Sequence, residues 1–336
     1  MNKVVFFFRK MMPGAYSINQ IFEALAVEIG KNLRVRKHEM SNAGSSPRTI
    51  AANIVEASQA ANGGIHHITG DVHYITLGLR KRHTVLTIHD CVILDRTPRW
   101  HPKFYAYLWF WYKLPIRIAD AVTTISQKSK EEIVAFTGCH PDKIKVIPNF
   151  VNGVFRYSPK DFDADCPRIL QVGTNSNKNL ERVAEALAGI NCVFEIIGEL
   201  SPAQTALLAA YKINFVNAAH LQLEELVERY CRADMLVFAS TYEGFGMPIV
   251  EAQAIGRPVV TSHLQPMPWV AGAEGACFVN PMEVASIRAG IERVIRDANY
   301  RNELIEKGQE NVKRFSINRV AGLYMEVYRR FLSKPI

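Results

Sequence analysis

No apolar run in this sequence approaches the roughly 20 residues that a membrane-crossing helix needs. The first apolar stretch, Val4-Val5-Phe6-Phe7-Phe8, is shorter than the core of a secretory leader, and no small-residue cleavage site follows it. We therefore expect a cytoplasmic protein, with contact at the inner face of the cell membrane left open. Cysteine is sparse: Cys91, Cys139, Cys166, Cys192, Cys231 and Cys277 are scattered without Cys-x-x-Cys spacing. That argues against a disulfide framework or paired zinc ligands and fits buried thiols in a reducing compartment. Neither half opens on Gly-x-Gly-x-x-Gly, which disfavours a nicotinamide dehydrogenase. Low-complexity tracts and solenoid-like periods are missing too.

What is present suits a globular protein of two domains. The 336 residues exceed one ordinary α/β domain, and 48% apolar with 21% charged residues is a soluble balance. A formal net charge of +8 favours partners that carry negative charge: phosphate-bearing substrates, anionic lipid or nucleic acid.

Short apolar runs alternate with helical patterns. Val4–Phe8, Gly64–Thr69, Thr84–Ile88, Ala121–Ile125 and Lys145–Ile147 read as strands of a first parallel sheet covered on both faces. The stretch Asn149–Pro167, with Gly153, Pro159, Pro167 and the run Asp161-Phe162-Asp163-Ala164-Asp165, breaks that rhythm and marks a boundary. Arg168–Gly173 and Val193–Gly198 then run from strand into glycine. Further strands are expected at Ile213–Val216, Met235–Ala239 and Pro258–Thr261, and Ile317–Leu332 has helical spacing.

The most specific stretch is Tyr242-Glu243-Gly244-Phe245-Gly246-Met247-Pro248-Ile249-Val250-Glu251-Ala252. Strand, glycine turn and helix start together make an anion site, because backbone N–H groups and the positive helix end face one point. Glu243 precedes the turn and Glu251 follows eight positions later. Carboxylates beside a phosphate are unfavourable unless hydroxyls donate to them, as the diols of ribose and hexose do.

This segment resembles the Glu-x7-Glu region of retaining glycosyltransferases of family 4, which have the GT-B fold. Thr87-Ile88-His89-Asp90, Ala119-Asp120-Ala121-Val122-Thr123-Thr124-Ile125-Ser126, Val146-Ile147-Pro148-Asn149 and Val172-Gly173…Lys178-Asn179 extend the resemblance over nearly the whole chain. It implies an α/β fold of two Rossmann-like domains facing each other across a cleft. The expected bounds are 1–155 for the acceptor side and 165–312 for the donor side, with residues 313–336 crossing back to the first domain. Glu251 would bind the donor ribose and Glu243 the transferred sugar, with the backbone of Gly244, Phe245, Gly246, Met247, Pro248 and Ile249 around the phosphates. Lys178 would neutralise the diphosphate in place of a metal, beside Gly173 and Thr174. His89 would touch the sugar, and Gly14 would admit the phosphates. Many relatives place an arginine soon after the glycine equivalent to Gly173, whereas Thr174-Asn175-Ser176-Asn177 stands here.

Plainer readings stand beside these. The glutamates fit a solvated helix start, Lys178 a surface lysine, His89 a structural histidine and Gly14 an ordinary turn. Asp161-Phe162-Asp163 resembles a metal-binding Asp-x-Asp but lies in the linker, where a solvated charge run is the better reading. Arg80-Lys81-Arg82-His83 is read as a solvated loop rather than a nucleic-acid site. The aromatic, cation-edged stretch Arg99–Arg117 suits a core helix, a membrane-interface helix or an acceptor groove.

The reading is a retaining, metal-independent hexosyltransferase with no cofactor, using a nucleoside-diphosphate sugar as co-substrate and a glycan or lipid-linked glycan as acceptor. Cell-surface polysaccharide or glycolipid synthesis is the expected setting, with peripheral contact to anionic membrane and no nucleic acid. The alternatives are a non-catalytic sugar-nucleotide-binding subunit of the same fold, or an epimerase or phosphorylase.

Overall fold

A computed structural model describes residues 3–10, 17–80 and 82–332. The chain forms two units. One contains the residues up to Phe150 together with those from Ile317 on, and the other is Val151–Ser316.

The first unit is built on six parallel strands: β1 (Lys3–Phe8), β2 (Arg34–Glu39), β3 (Ile65–Ile68), β4 (His83–Ile88), β5 (Ala121–Thr124) and β6 (Ile144–Val146). Their order is β2-β1-β3-β4-β5-β6, which begins as the flavodoxin-like 2-1-3-4-5. After Lys3, β1 is apolar because both its faces are covered. Val5 and Phe7 pack with Ile75, Tyr112 and Ile133 on one side. Val4, Phe6 and Phe8 pack with Phe22, Leu25, Tyr324 and Tyr328 on the other. Those two tyrosines belong to the final helix, Ile317–Leu332, so the carboxy-terminal helix closes the first unit. Tyr328 Oη shares a 2.6 Å hydrogen bond with Nδ1 of buried His67.

The second unit holds β7 (Arg168–Val172), β8 (Val193–Ile197), β9 (Phe215–Ala218), β10 (Met235–Phe238), β11 (Val259–Ser262) and β12 (Cys277–Val279). The order β12-β11-β10-β7-β8-β9, all parallel, is the doubly wound 3-2-1-4-5-6 arrangement read from its other edge. β2 and β12 are additions to the strands read from sequence, and β9 lies two residues beyond its expected start. All three are edge strands. β2 reads Arg-Val-Arg-Lys-His-Glu and buries none of its six residues fully, so it shows no apolar run.

The stretch Arg99–Arg117 is divided between core and surface. Helix Pro102–Tyr107 widens into a π turn, Leu108–Lys113, before a last helical turn, Leu114–Ile118. Phe104, Leu108, Tyr112 and Ile116, four apart, all reach the core. Strict spacing of four drifts around a regular helix, and the wider turn brings the row back. The outward face carries Trp100, Tyr105, Trp109 and Phe110, which are 80%, 54%, 48% and 49% exposed.

Candidate functional site

In the second unit β7 and β10 are neighbours, with β8 and β9 on one side and β11 and β12 on the other. Loops leaving the carboxyl ends of β7 and β10 diverge there, at the switch point where doubly wound folds hold ligands. Each loop carries candidate residues.

β7 runs into Gly173, which has φ +95°, and a 3-10 turn, Ser176–Lys178, follows. A Cβ on Gly173 would lie 2.8 Å from Lys178 Cε and 2.9 Å from its Cγ. Glycine is therefore needed for the lysine stem to fold back across it. Lys178 Nζ ends 2.7 Å from Glu243 Oε1, with 18% of one side chain and 12% of the other exposed. The ammonium also sits 4.7 Å from the Phe238 ring centre. Asn177 fastens the two loops: Nδ2 donates to Tyr242 O at 2.9 Å and to Glu243 Oε1 at 3.4 Å, while its carbonyl accepts from Thr241 N at 2.9 Å.

Thr174 is committed sideways. Its hydroxyl donates to Glu199 O at 2.6 Å, and its carbonyl accepts from Gln204 Nε2 at 2.8 Å. Asn179, in the left-handed region at φ +61°, donates through Nδ2 to Ala239 O and Pro281 O, and Arg182 Nη1 donates to its Oδ1 at 2.9 Å. The arginine nearest after Lys178 thus serves Asn179.

After β10, the helix Met247–Ile255 starts on Gly246, at φ +103°, and stops on Gly256, at φ +88°. Pro248 stands in its first turn, where a missing N–H costs nothing and φ is already helical. Phe245 points inward, edge-on to Phe315 at 5.6 Å and Trp269 at 6.2 Å, so the loop offers its backbone there. Ile249 is buried as well, whereas Met247, Pro248 and Glu251 form the partly uncovered face of the helix. No acidic residue occupies its first turn, so the positive helix end is not neutralised from within.

Glu251 accepts a 2.6 Å hydrogen bond from the hydroxyl of Tyr230, a fully buried residue of helix Leu223–Arg232. Removal from water pushes the Glu251 carboxyl up to about 7, opposed by that hydrogen bond and by the Lys178 charge. Nothing in the sequence flags Tyr230, Asn177 or Phe238.

The remaining candidates lie elsewhere. His89, just after β4 in the first unit, is nearly buried; its Nε2 meets Thr69 O at 2.9 Å and burial lowers its pKa. Gly14 lies outside the described residues. Asp163 Oδ1 accepts from the backbone N–H groups of Asp165 at 3.1 Å and Cys166 at 2.9 Å, which makes that segment a local turn. Among the described residues no three His, Cys, Asp or Glu side chains are grouped to hold a metal, and no helix is long and apolar enough to cross a membrane.

Residues 159–311 match the family model described as glycosyl transferases group 1, and residues 60–153 match that of glycosyltransferase family 4. The chain is similar to the MMP alpha-(1->4)-mannosyltransferase of Mycolicibacterium hassiacum, 25% identical in an alignment of 272 residues that covers 74% of this chain and 66% of the relative. It is 26% identical over 281 residues to the serotype-specific mannosyltransferase WbdA of Escherichia coli, covering 74% of this chain and 34% of that protein. The chain thus spans just under two thirds of one of these relatives and about a third of the other. Sucrose-phosphate synthase from Thermosynechococcus elongatus shares the fold, with a TM-score of 0.79 at 18% identity over 99% of this chain and 100% of that one. The chain thus carries a glycosyltransferase family 4 domain followed by a group 1 glycosyl transferase domain, and it has the GT-B architecture.

Proposed function

We propose that this family 4 glycosyltransferase moves a hexosyl residue from a nucleoside-diphosphate sugar to a glycan hydroxyl, with retention at the anomeric carbon and no metal ion. The supporting observation is the meeting of Lys178, Glu243 and the start of helix Met247–Ile255 at the switch point of the second sheet. Lys178 and the helix end supply positive charge where a diphosphate leaves, and that charge counts most as the bond breaks. Glu243, displaced from Lys178 by the phosphates, turns to the hydroxyls of the transferred sugar. Glu251 accepts from the ribose diol, and the leaving diphosphate takes the acceptor proton. Mannose is the first sugar to test, because both relatives are named as mannosyltransferases and one as serotype-specific.

The test is release of nucleoside diphosphate from a panel of nucleotide sugars, with the product anomer read by NMR. A donor at 100 times its dissociation constant adds about 2.7 kcal/mol of stability, so a thermal-shift screen finds it first. Activity is expected to persist in chelator; complete loss restored by magnesium or manganese would refute the metal-free reading. Binding without turnover would point to a non-catalytic subunit. Interconversion of the donor sugar would indicate an epimerase, and pyridoxal absorbance a phosphorylase.

The acceptor reading rests on the outward face of Arg99–Arg117. Trp100, Tyr105, Trp109 and Phe110 are exposed there, and Lys113 Nζ stands 5.2 Å from the Trp109 ring centre. Aromatics edged by cations suit the headgroup layer, and each cation adds about 1 kcal/mol at an anionic surface. A lipid-linked acceptor would be met there. The chain is expected to sediment with anionic vesicles, less so as salt shortens a screening length of about 8 Å. Trp100→Ala with Trp109→Ala should weaken attachment while leaving the fold intact, since neither ring is buried. Equal indifference to anionic and neutral vesicles would leave a soluble acceptor.

A further inference from the structure

The first sheet has a switch point of its own. β2 lies on one side of β1 and β3 on the other, so the loops after β1 and β3 part at the strand ends. A cavity of about 280 Å³ opens there, lined by Arg9 and Lys10 after β1, Asn42 and Ser45 after β2, and Tyr107 and Trp111 from the aromatic segment. All of these residues belong to the first unit.

Its wall is tied together by hydrogen bonds and ring contacts. Trp111 Nε1 donates to Asp71 O at 2.9 Å, and His73 Nδ1 donates to Trp111 O at 2.8 Å. The indole meets Tyr74 edge-on at 4.9 Å and Tyr107 at 5.4 Å. Arg9 Nη1 lies 3.1 Å from Asp71 Oδ2, and Lys10 Nζ donates to Ser41 O at 2.9 Å. The π turn therefore serves the cavity: it carries Trp111 to this edge and presents its carbonyl to His73.

The lining sorts into three kinds of chemistry. Tyr107 and Trp111 bring aromatic carbon, which suits the C–H face of a pyranose. Asn42 and Ser45 offer hydrogen bonds to hydroxyls. Among the described lining residues the charged ones are Arg9, Lys10 and Asp71, a net positive lining that suits an anionic substituent. The volume lies near the lower end of ligand pockets, roughly 300–1,000 Å³, which suits one sugar rather than a chain.

We propose that this cavity is an acceptor subsite for a single pyranose bearing a phosphate. The assignment as acceptor rests on the glycosyltransferase reading; the ligand chemistry does not. The test is calorimetric titration of the whole chain with mannose 1-phosphate, methyl α-mannoside and inorganic phosphate, each with saturating nucleoside diphosphate present. Mannose 1-phosphate is expected to bind at least tenfold more tightly than either of the others. Lys10→Ala and Asn42→Ala, both at exposed positions, should each reduce that affinity several-fold, while Lys178→Ala should not. Affinity equal to that of inorganic phosphate, or to that of methyl α-mannoside, would overturn the proposal. So would loss on Lys178→Ala with none on Lys10→Ala, which would place the ligand in the second unit. Failure of the nucleoside diphosphate itself to bind would instead count against the proposed function, with the cavity titration still readable.

Discussion

Lys178→Ala is expected to lower kcat by about 10²–10³, as removal of a preorganised charge-stabilising group does elsewhere, with a smaller rise in donor KM. The reason is local. Gly173 clears the path of the lysine stem, and Nζ is held at the switch point by Glu243 at 2.7 Å and over the Phe238 ring. In the proposed reaction charge grows on the leaving diphosphate as the glycosidic bond breaks, so the ammonium would act more on the transition state than on the bound donor. The substitution also leaves a largely buried carboxylate without its cation, which costs stability. Lys178→Ala combined with Glu243→Gln removes both charges and separates the effects. Stability should recover in the double variant, and turnover should not. A kcat within threefold of the parent would make the pair a purely structural clasp.

Glu251→Gln is expected to remove a pH dependence as well as affinity. With the carboxyl pushed up to about 7, lowering the pH protonates it and spoils it as an acceptor for a diol. If only the ionised form binds well, affinity for nucleoside diphosphate falls by up to about tenfold per pH unit below 7. The glutamine variant should bind more weakly at pH 8 and lose that slope, leaving only the titration of the phosphate itself. Stability runs the opposite way. A carboxyl whose pKa is raised on folding helps most below its unfolded value near 4.5, and that help is lost as pH rises through about 7. The shift corresponds to about 3 kcal/mol at most, so the ligand-free variant should gain on the parent between pH 5 and pH 8 in thermal melts. A binding slope that survives in the variant, or normal nucleotide binding with lost turnover, would show that Glu251 does not hold the ribose.

Much of the second unit was legible because its signals are local. A glycine at the end of an apolar run, a lysine five positions later, and Gly246 and Gly256 bracketing a nine-residue helix each follow from the conformation of a few neighbouring residues. The central strands were legible for a related reason. A strand covered on both faces is mostly apolar, as β1 after Lys3 and β10 are. Edge strands carry no such demand, and β2 passed unread.

The sequence by itself determined two doubly wound units, the local turns that bear Lys178 and Glu243, and the short helix that bears Glu251, because these depend on backbone constraints within a few residues. Tertiary structure alone decided what meets there. Strand order sets β10 beside β7, which brings Glu243 to Lys178 across 65 positions and Asn177 to the Tyr242 carbonyl. Helix packing sets Tyr230 against Glu251, and with it the burial that raises the carboxyl. A π turn, invisible in composition, splits the aromatic segment between core, surface and cavity. Each of these depends on which distant residues share a sheet edge or a helix face, and no short window of sequence carries that information.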